Sequence, residues 1–325
     1  MSQKFDITVV LPTFNNVDYI VTTIESINVS GKDFSIEILV GVDGCKKTYD
    51  FVRSNYFSSN VKFLFFEENG GPYTIKNTLT QIANSDKIVF FDSDDLMTES
   101  LIPKIINSLN LFEICKFRYL NFVDDNVNNI KKTKSVAYAE GVFGVKKELF
   151  LKMNGFEPWV CAADSDYWGR IYKANIKTHF INEILMLRRL HDAQLTRRND
   201  TGMRSTLRAH YWKLSQSKKG DCNPKFLSTR NFYEMDDINS EKLKFDHVNF
   251  LKRKENTIEN IKNLLESNNL SIPQSKPKKQ PPVELNYDLV NKLMTKKLNL
   301  VQEQETKRNL TLDRQNLFDL KRKRV

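Results

Sequence analysis

The run Lys87-Ile88-Val89-Phe90-Phe91 passes directly into Asp92-Ser93-Asp94-Asp95, so a strand-forming apolar segment ends on three carboxylates within four positions. Apolar residues without polar alternation suit a central parallel strand covered on both faces, and open α/β sheets bind ligands just beyond the carboxyl ends of such strands. Three like charges this close repel one another unless a cation offsets them, and hard oxygen donors favour Mg2+ or Mn2+ over zinc. The same residues also suit a solvated acidic turn capping a helix that starts near Met97, because Asp and Ser are common turn and N-cap residues. On the local sequence both readings stand.

This strand is one of an alternating series. Residues 5–11 are rich in β-branched side chains and closed by Pro12, and 16–29 carry Tyr19, Ile20, Ile24 and Ile27 at helical spacing. A second strand is expected over 35–42, ended by Asp43-Gly44, then a helix over 49–56, a third strand over 61–66 and a long helix over 71–83. Strands alternating with helices predict a parallel, doubly wound sheet with right-handed crossovers. Beyond Asp95 the pattern predicts helix over 100–110, strand over 114–123, and strand over 136–146 with a turn at Gly141 and Gly144. A short helix over 147–153 is closed by Asn154-Gly155. Helix over 164–174, strand over 175–190 and helix over 201–215 follow, without an internal repeat.

Charge divides the chain. Of 325 residues, 1–215 hold 27 Lys and Arg against 25 Asp and Glu, whereas 216–325 hold 23 against 15, so most of the net charge of +10 belongs to the C-terminal part. That asymmetry points to an anionic partner, nucleic acid or an acidic membrane surface; a basic surface that only keeps the protein soluble is the alternative. Residues 216–270 read as a helical appendage with a helix at 246–268, and 271–283 as a Pro- and Lys-rich linker. Residues 284–325 read as a basic amphipathic helical tail ending Lys321-Arg322-Lys323-Arg324-Val325. No stretch approaches the ~18–20 apolar residues of a membrane span. The start, Met1-Ser2-Gln3-Lys4-Phe5-Asp6, lacks an apolar signal region, so the expectation is a cytoplasmic protein whose tail could rest on the inner face of a membrane. Cys45, Cys115, Cys161 and Cys222 are isolated, indicating reduced thiols and neither a zinc motif nor a disulfide framework.

Four local features occur in a telling order: Leu11-Pro12-Thr13-Phe14-Asn15-Asn16, Gly41-Val42-Asp43-Gly44, Asn69-Gly70-Gly71-Pro72 with Lys76-Asn77, and Asp92-Ser93-Asp94-Asp95. Together they resemble a family 2 glycosyltransferase with the GT-A fold. Ala163-Asp164-Ser165-Asp166-Tyr167-Trp168 is similar to the Glu-Asp-aromatic segment of that family, with Ala163 where Glu is common, and Arg188-Arg189-Leu190-His191 to its late Arg-x-His element. The resemblance covers about residues 5–215, taken as the catalytic domain 1–215. It implies an α/β, GT-A-type, doubly wound and mostly parallel (Rossmann-like) sheet, to which the basic helical extension is appended. It also implies an inverting, metal-dependent enzyme moving a single hexosyl or pentosyl group from a UDP-type donor to an acceptor hydroxyl. Residue by residue, it assigns Asp164 as catalytic base and Asp94 and His191 as ligands of Mn2+ or Mg2+. Pro12, Thr13, Asn15, Asp43, Gly70, Lys76, Asn77, Asp92 and Arg189 are assigned to the nucleotide sugar, Asp43 accepting from the nucleobase N–H.

Elementary chemistry agrees with these roles. A leaving diphosphate gains negative charge that a divalent cation stabilises, and a general base must reach the acceptor hydroxyl on the opposite side of the sugar. Without the resemblance, Asp164 reads first as an N-cap and His191 as an ordinary surface or core residue, and Arg197, Arg198, Arg204 and Arg208 read as a solvated helix face as well as a diphosphate lid. The acceptor is expected on a surface glycan or glycolipid precursor; DNA with hydroxymethylated bases is the alternative, to which the basic tail is suited. A non-catalytic nucleic-acid-binding or scaffold protein on a degenerate transferase domain is the reading from another class. Lack of a Gly-rich phosphate loop argues against a nucleotidyltransferase. Lack of membrane spans and of a Gln-x-x-Arg-Trp element argues against a processive membrane synthase.

Overall fold

The structure, a computed structural model, describes residues 5–54, 59–124, 130–217 and 224–235. The helix expected at 246–268, the linker at 271–283 and the tail at 284–325 lie outside the described residues. Ten strands and seven helices follow one another among them: β1 (Ile7–Thr13), α1 (Ile20–Ser30), β2 (Ile36–Asp43), α2 (Lys46–Ser54), β3 (Val61–Phe66), α3 (Pro72–Ile82), β4 (Lys87–Phe90) and β5 (Leu96–Met97). Then come α4 (Leu101–Leu111), β6 (Ile114–Asp124), β7 (Ile130–Tyr138), β8 (Gly144–Lys146), α5 (Lys147–Lys152), α6 (Ala163–Lys173), β9 (Thr178–Arg189), α7 (Thr206–Ser217) and β10 (Tyr233–Glu234).

One sheet carries them in the order β10-β3-β2-β1-β4-β8-β6-β9-β5, with β7 paired to β6. β3, β2, β1 and β4 run parallel, as do β6 and β9; β10, β8, β7 and β5 pair antiparallel with their neighbours. The chain leaves β1 toward β2 on one side and reaches β4 on the other, so β1 and β4 flank the topological switch point. Ligands of open α/β sheets bind there, beyond the carboxyl ends of the strands.

Side-chain alternation explains why Val9, Val10 and Leu11 of β1 are apolar at successive positions. Ile7, Val9 and Leu11 enter one core with Ile20, Ile24 and Ile27 of α1, Val52 of α2, and Leu101, Ile102 and Ile105 of α4. Val10 enters the other, with Ile75 and Leu79 of α3, Leu149 and Phe150 of α5, and Tyr167, Trp168 and Ile171 of α6. A strand with helices on both faces buries its side chains at every position, and the polar Thr8 is accommodated by donating its hydroxyl to Glu37 at 2.7 Å.

The second core contains an aromatic cluster that ties the two halves of the site together. Phe90, the last residue of β4, has the rings of Phe150, Phe143 and Phe156 at 4.9, 5.1 and 5.3 Å. Tyr167 of α6 packs on Phe156, Phe150 and Phe143 at 5.2, 5.4 and 5.5 Å. Each such pair contributes about 0.5–1.5 kcal/mol beyond area burial. β4, which leads into the acidic loop, and α6, which carries Asp164, are therefore held by one rigid cluster. Arg170 of α6 adds to this: its guanidinium pairs with Asp166 at 2.9 Å and donates to the carbonyls of Met153 and Gly155 at 2.6 Å each.

Three boundaries differ from the sequence reading. No helix starts at Met97; Leu96 and Met97 form β5 against Leu187 and Met186 of β9, and α4 begins at Leu101. α2 starts at Lys46, three residues earlier than expected. α7 starts at Thr206 instead of 201, because 196–205 fold into turns closed by Gly202 N–H to Arg198 O at 2.8 Å and Ser205 N–H to Gly202 O at 3.0 Å.

Candidate active site

The acidic strand end is not a solvated turn, because Ser93 and Asp95 are buried. The Thr23 hydroxyl of α1 lies 2.9 Å from Ser93 O and 2.8 Å from Asp95 O, and Asn16 Nδ2 donates to Ser93 Oγ at 2.8 Å. From the far side, the Arg189 N–H donates to Asp95 Oδ1 at 2.8 Å and Arg189 Nε to Asp94 O at 2.8 Å. Burial first, then the neighbouring Asp94 and Asp92 carboxylates, push the Asp95 carboxyl well above the ordinary range. Asp95 is thus a fastening point of the loop; it does not cap α4. With the loop fixed, Asp94 Oδ2 lies 2.8 Å from His191 Nε2, each side chain about one-fifth exposed (20% and 18%). The His191 ring rests 5.0 Å from that of Tyr19.

Asp92 turns to the other wall. Its Oδ1 meets the Lys76 ammonium of α3 at 3.0 Å, and Lys76 also donates to Gly141 O at 2.9 Å. Lys76 is buried, whereas the Asp92 carboxylate keeps 43% of its surface open. Asp43, at the end of β2, accepts the Gly70 and Gly71 N–H groups, each at 2.9 Å, and Arg230 Nη1 at 2.8 Å. That turn needs glycine at Gly71, which has φ +83° and precedes Pro72 at the first position of α3. Gly44 after β2 is held at φ +63°, where a Cβ would collide with the Asn69 backbone.

Asp164 sits in the first turn of α6. It is not the N-cap: that position belongs to Ala162, in the left-handed region at φ +65°, and Asp164 Oδ1 accepts only the adjacent Ser165 N–H at 2.9 Å among the α6 amides described. Such a backbone in a residue with a Cβ is uncommon. The Tyr73 hydroxyl, held well above its ordinary pKa by burial and then by the Asp164 charge, hydrogen-bonds the Asp164 carboxylate. Gly141 lies opposite, where a Cβ would stand 3.4 Å from Asp164 Oδ2.

A cleft of about 810 Å³ joins these parts, within the range of ligand sites. Pro12, Thr13, Asn15, Asp43, Lys76, Asp92, Asp94, Asp164 and His191 line it. Three expected residues do not. Asn77 is buried with its amide engaged by Phe156 N–H, Phe156 O and Ser228 O, the arrangement of a brace between α3 and the neighbouring loops. Gly70 offers its N–H to Asp43, and the Arg189 guanidinium lies 4.5 Å over Tyr19 and 4.8 Å over Phe122, beneath the loop. Arg188, Arg197, Arg198 and Arg208 line the cleft, whereas Arg204 is exposed outside that lining. Tyr73, Gly141 and the half-exposed Phe14 line it as well and were not foreseen. Phe14 stands inside the Pro12–Asn15 motif, a signal that was available; Tyr73 and Gly141 carry none.

A divalent cation that completes its shell with substrate oxygens and water could be held at the Asp94–His191 pair. Mg2+ typically uses one or two carboxylates this way, and here Asp94 and His191 supply one carboxylate and one imidazole. Among the described residues, no three His, Cys, Asp or Glu side chains gather as a metal-binding group. Thr13 Oγ1 is buried at the cleft wall without a hydrogen-bond partner among the described residues, an acceptor and donor left for a ligand.

Residues 8–154 match the family described as Glycosyl transferase family 2; Asp164, Arg189 and His191 lie beyond the matched segment. Among solved structures, S. aureus TarS is similar at 18% identity and TM-score 0.45, over 58% of this chain and 37% of that one. S. aureus TarS 1–349 in complex with UDP-GlcNAc is similar at 16% identity and TM-score 0.48, over 59% and 60%. The same segment in complex with UDP gives 18% and 0.46, over 58% and 61%. The chain thus spans between 37% and 61% of the length of these structures. No curated protein matches the sequence. Over residues 8–154, with the strand-end loops that build the cleft, this chain is similar to glycosyl transferase family 2.

Proposed function

We propose that the chain is an inverting, metal-dependent glycosyltransferase that moves one sugar from a UDP-type nucleotide sugar to a hydroxyl of a surface glycan or glycolipid precursor. The observation that carries this reading is the convergence of Asp164 with the Asp94–His191 pair in one cleft at the switch point of the sheet. Asp43 accepts the imide N–H of the nucleobase, and Thr13 Oγ1 serves the nucleoside. Asp164 takes the proton of the acceptor hydroxyl as its oxygen forms the new bond to the anomeric carbon. The bond from that carbon to the diphosphate oxygen breaks in line, and the electron pair leaves with the diphosphate. Attack from the side opposite the leaving group inverts the anomeric centre. Tyr73 holds the Asp164 carboxylate in place, Lys76 holds Asp92, and Arg188, Arg197, Arg198 and Arg208 supply donors for the phosphates. A divalent cation held by Asp94 and His191 would offset the charge developing on the leaving group.

The test is UDP release by the full chain from a panel of UDP-sugars with Mn2+ or Mg2+, beside Asp94→Ala. Saccharide acceptors and hydroxymethylcytosine-containing duplex DNA form separate arms. Metal-dependent release stimulated by saccharides and lost in the variant is expected. Stimulation by the DNA alone would overturn the glycan acceptor, and no turnover or binding of any UDP-sugar would overturn the transferase.

A further inference from the structure

Residues 224–235 lie beyond the segment matching the family, yet they are fastened to the nucleoside end of the cleft. Pro224 O accepts Asn154 Nδ2 at 3.0 Å and Ser228 O accepts Asn77 Nδ2 at 3.0 Å. The Arg230 N–H donates to Thr78 Oγ1 at 3.0 Å, and Tyr233 and Glu234 pair with Phe65 and Leu64 of β3. This strap delivers one guanidinium to the glycine turn. Arg230 Nη1 donates to Asp43 Oδ1 at 2.8 Å, Nη2 donates to Glu68 O, and the guanidinium lies 5.4 Å over the Phe66 ring. Gly70 makes room for it, since a Cβ there would strike the guanidinium. The ion pair is largely enclosed, with 19% of the Arg230 side chain and 4% of Asp43 exposed.

A carboxylate offers about four acceptor positions. At Asp43, Gly70 N–H, Gly71 N–H and Arg230 occupy three, which fixes the carboxylate plane and leaves one position for a donor in the cleft. An imide N–H, as in uracil, satisfies that position. Cytosine presents a lone pair at the same ring nitrogen and is repelled.

We propose that Arg230 is a positioning residue of the donor site: acting through Asp43, it sets both affinity and selectivity for a nucleoside diphosphate whose base bears an imide N–H. The strap 224–235 is therefore part of the donor-binding unit. This rests on the reading of Asp43 as the nucleobase contact. Freed of Arg230, the enclosed carboxylate keeps only its two backbone donors and loses its counter-charge, so its orientation toward the base relaxes. Contacts to the diphosphate, made by other elements, are untouched.

The experiment is calorimetric titration of the full chain with UDP, CDP and pyrophosphate in the presence of Mg2+, for wild type, Arg230→Ala and Arg230→Lys, with thermal unfolding as a check that each variant is folded. Arg230→Ala is expected to weaken UDP about tenfold, the worth of one hydrogen bond to a charged group, and to narrow the UDP over CDP preference. Pyrophosphate binding should stay at the wild-type level, and Arg230→Lys should recover part of the loss. Wild-type UDP affinity and selectivity in Arg230→Ala would overturn the proposal, as would equal weakening of UDP and pyrophosphate, which marks a merely structural role. Wild type without preference for UDP over CDP would instead overturn the reading of Asp43 itself.

Discussion

Asn77→Ala separates a brace from a ligand contact. The Asn77 side chain is fully buried and makes three hydrogen bonds: from Phe156 N–H at 2.8 Å, to Phe156 O at 2.9 Å and to Ser228 O at 3.0 Å. Each is worth about 1 kcal/mol net, and leaving a buried backbone group without a partner costs about 1–3 kcal/mol more. Phe156 is fully buried within the aromatic cluster, so water does not replace the lost amide. The sum is a destabilisation of about 4–6 kcal/mol, which for a domain of this size lowers Tm on the order of 10 °C. Asn77→Asp should cost at least as much, since a carboxylate oxygen would face two carbonyls. The assay is thermal unfolding of each variant beside UDP titration well below its Tm. An Asn77→Ala protein with unchanged Tm and lost UDP affinity would refute this accounting and return Asn77 to the nucleotide.

Other perturbations test neighbouring parts. Gly141→Leu, at a backbone conformation open to L residues, fills the space before Asp164 and should leave UDP affinity intact while lowering turnover on the order of 100-fold, the scale of a small misplacement of reactants; unchanged turnover in steady-state assays would contradict the placement. Burial pushes the Cys45 thiol up, but the Thr48 hydroxyl and the backbone N–H groups of Thr48, Asn15 and Lys47 more than offset it, whereas burial pushes Cys115 up to about 12. Iodoacetamide at neutral pH, read by peptide mapping, should therefore modify Cys45 well before Cys115. Asp95 has a folded-state pKa above its unfolded value, so its contribution to stability is present below the unfolded pKa and is lost as pH rises through the folded one. Asp95→Asn keeps an acceptor for Arg189 N–H and should raise Tm at about pH 7 but not below about pH 4; a lower Tm at neutral pH would contradict the repulsion argued for the acidic loop.

What was legible in the sequence had a local cause. The apolar runs of β1, β2 and β4 and the helical spacing of α1 follow from burial on both faces of one sheet, and the carboxylates after Phe91 fall at the switch point because strand ends do. The pairing of Asp94 with His191, across 97 positions, came from resemblance and not from any local signal. Resemblance alone does not separate two roles for Asn77, because a buried amide that braces a neighbouring loop has the same letter and position as one that touches a ligand. The turns at 196–205 escaped because their closure depends on hydrogen bonds that helical spacing does not encode. Arg230 left no trace, since its meaning depends on a strap returning to a glycine turn 160 positions earlier in the chain.

The central claim is that Asp164 is the base and that the donor is held without it. Single-turnover sugar transfer by wild type and Asp164→Asn, each with donor affinity measured in parallel, tests it most directly. The account predicts unchanged donor affinity and a rate lower by about 10²–10⁴-fold, the usual worth of a general base. Transfer at the wild-type rate by Asp164→Asn would contradict it.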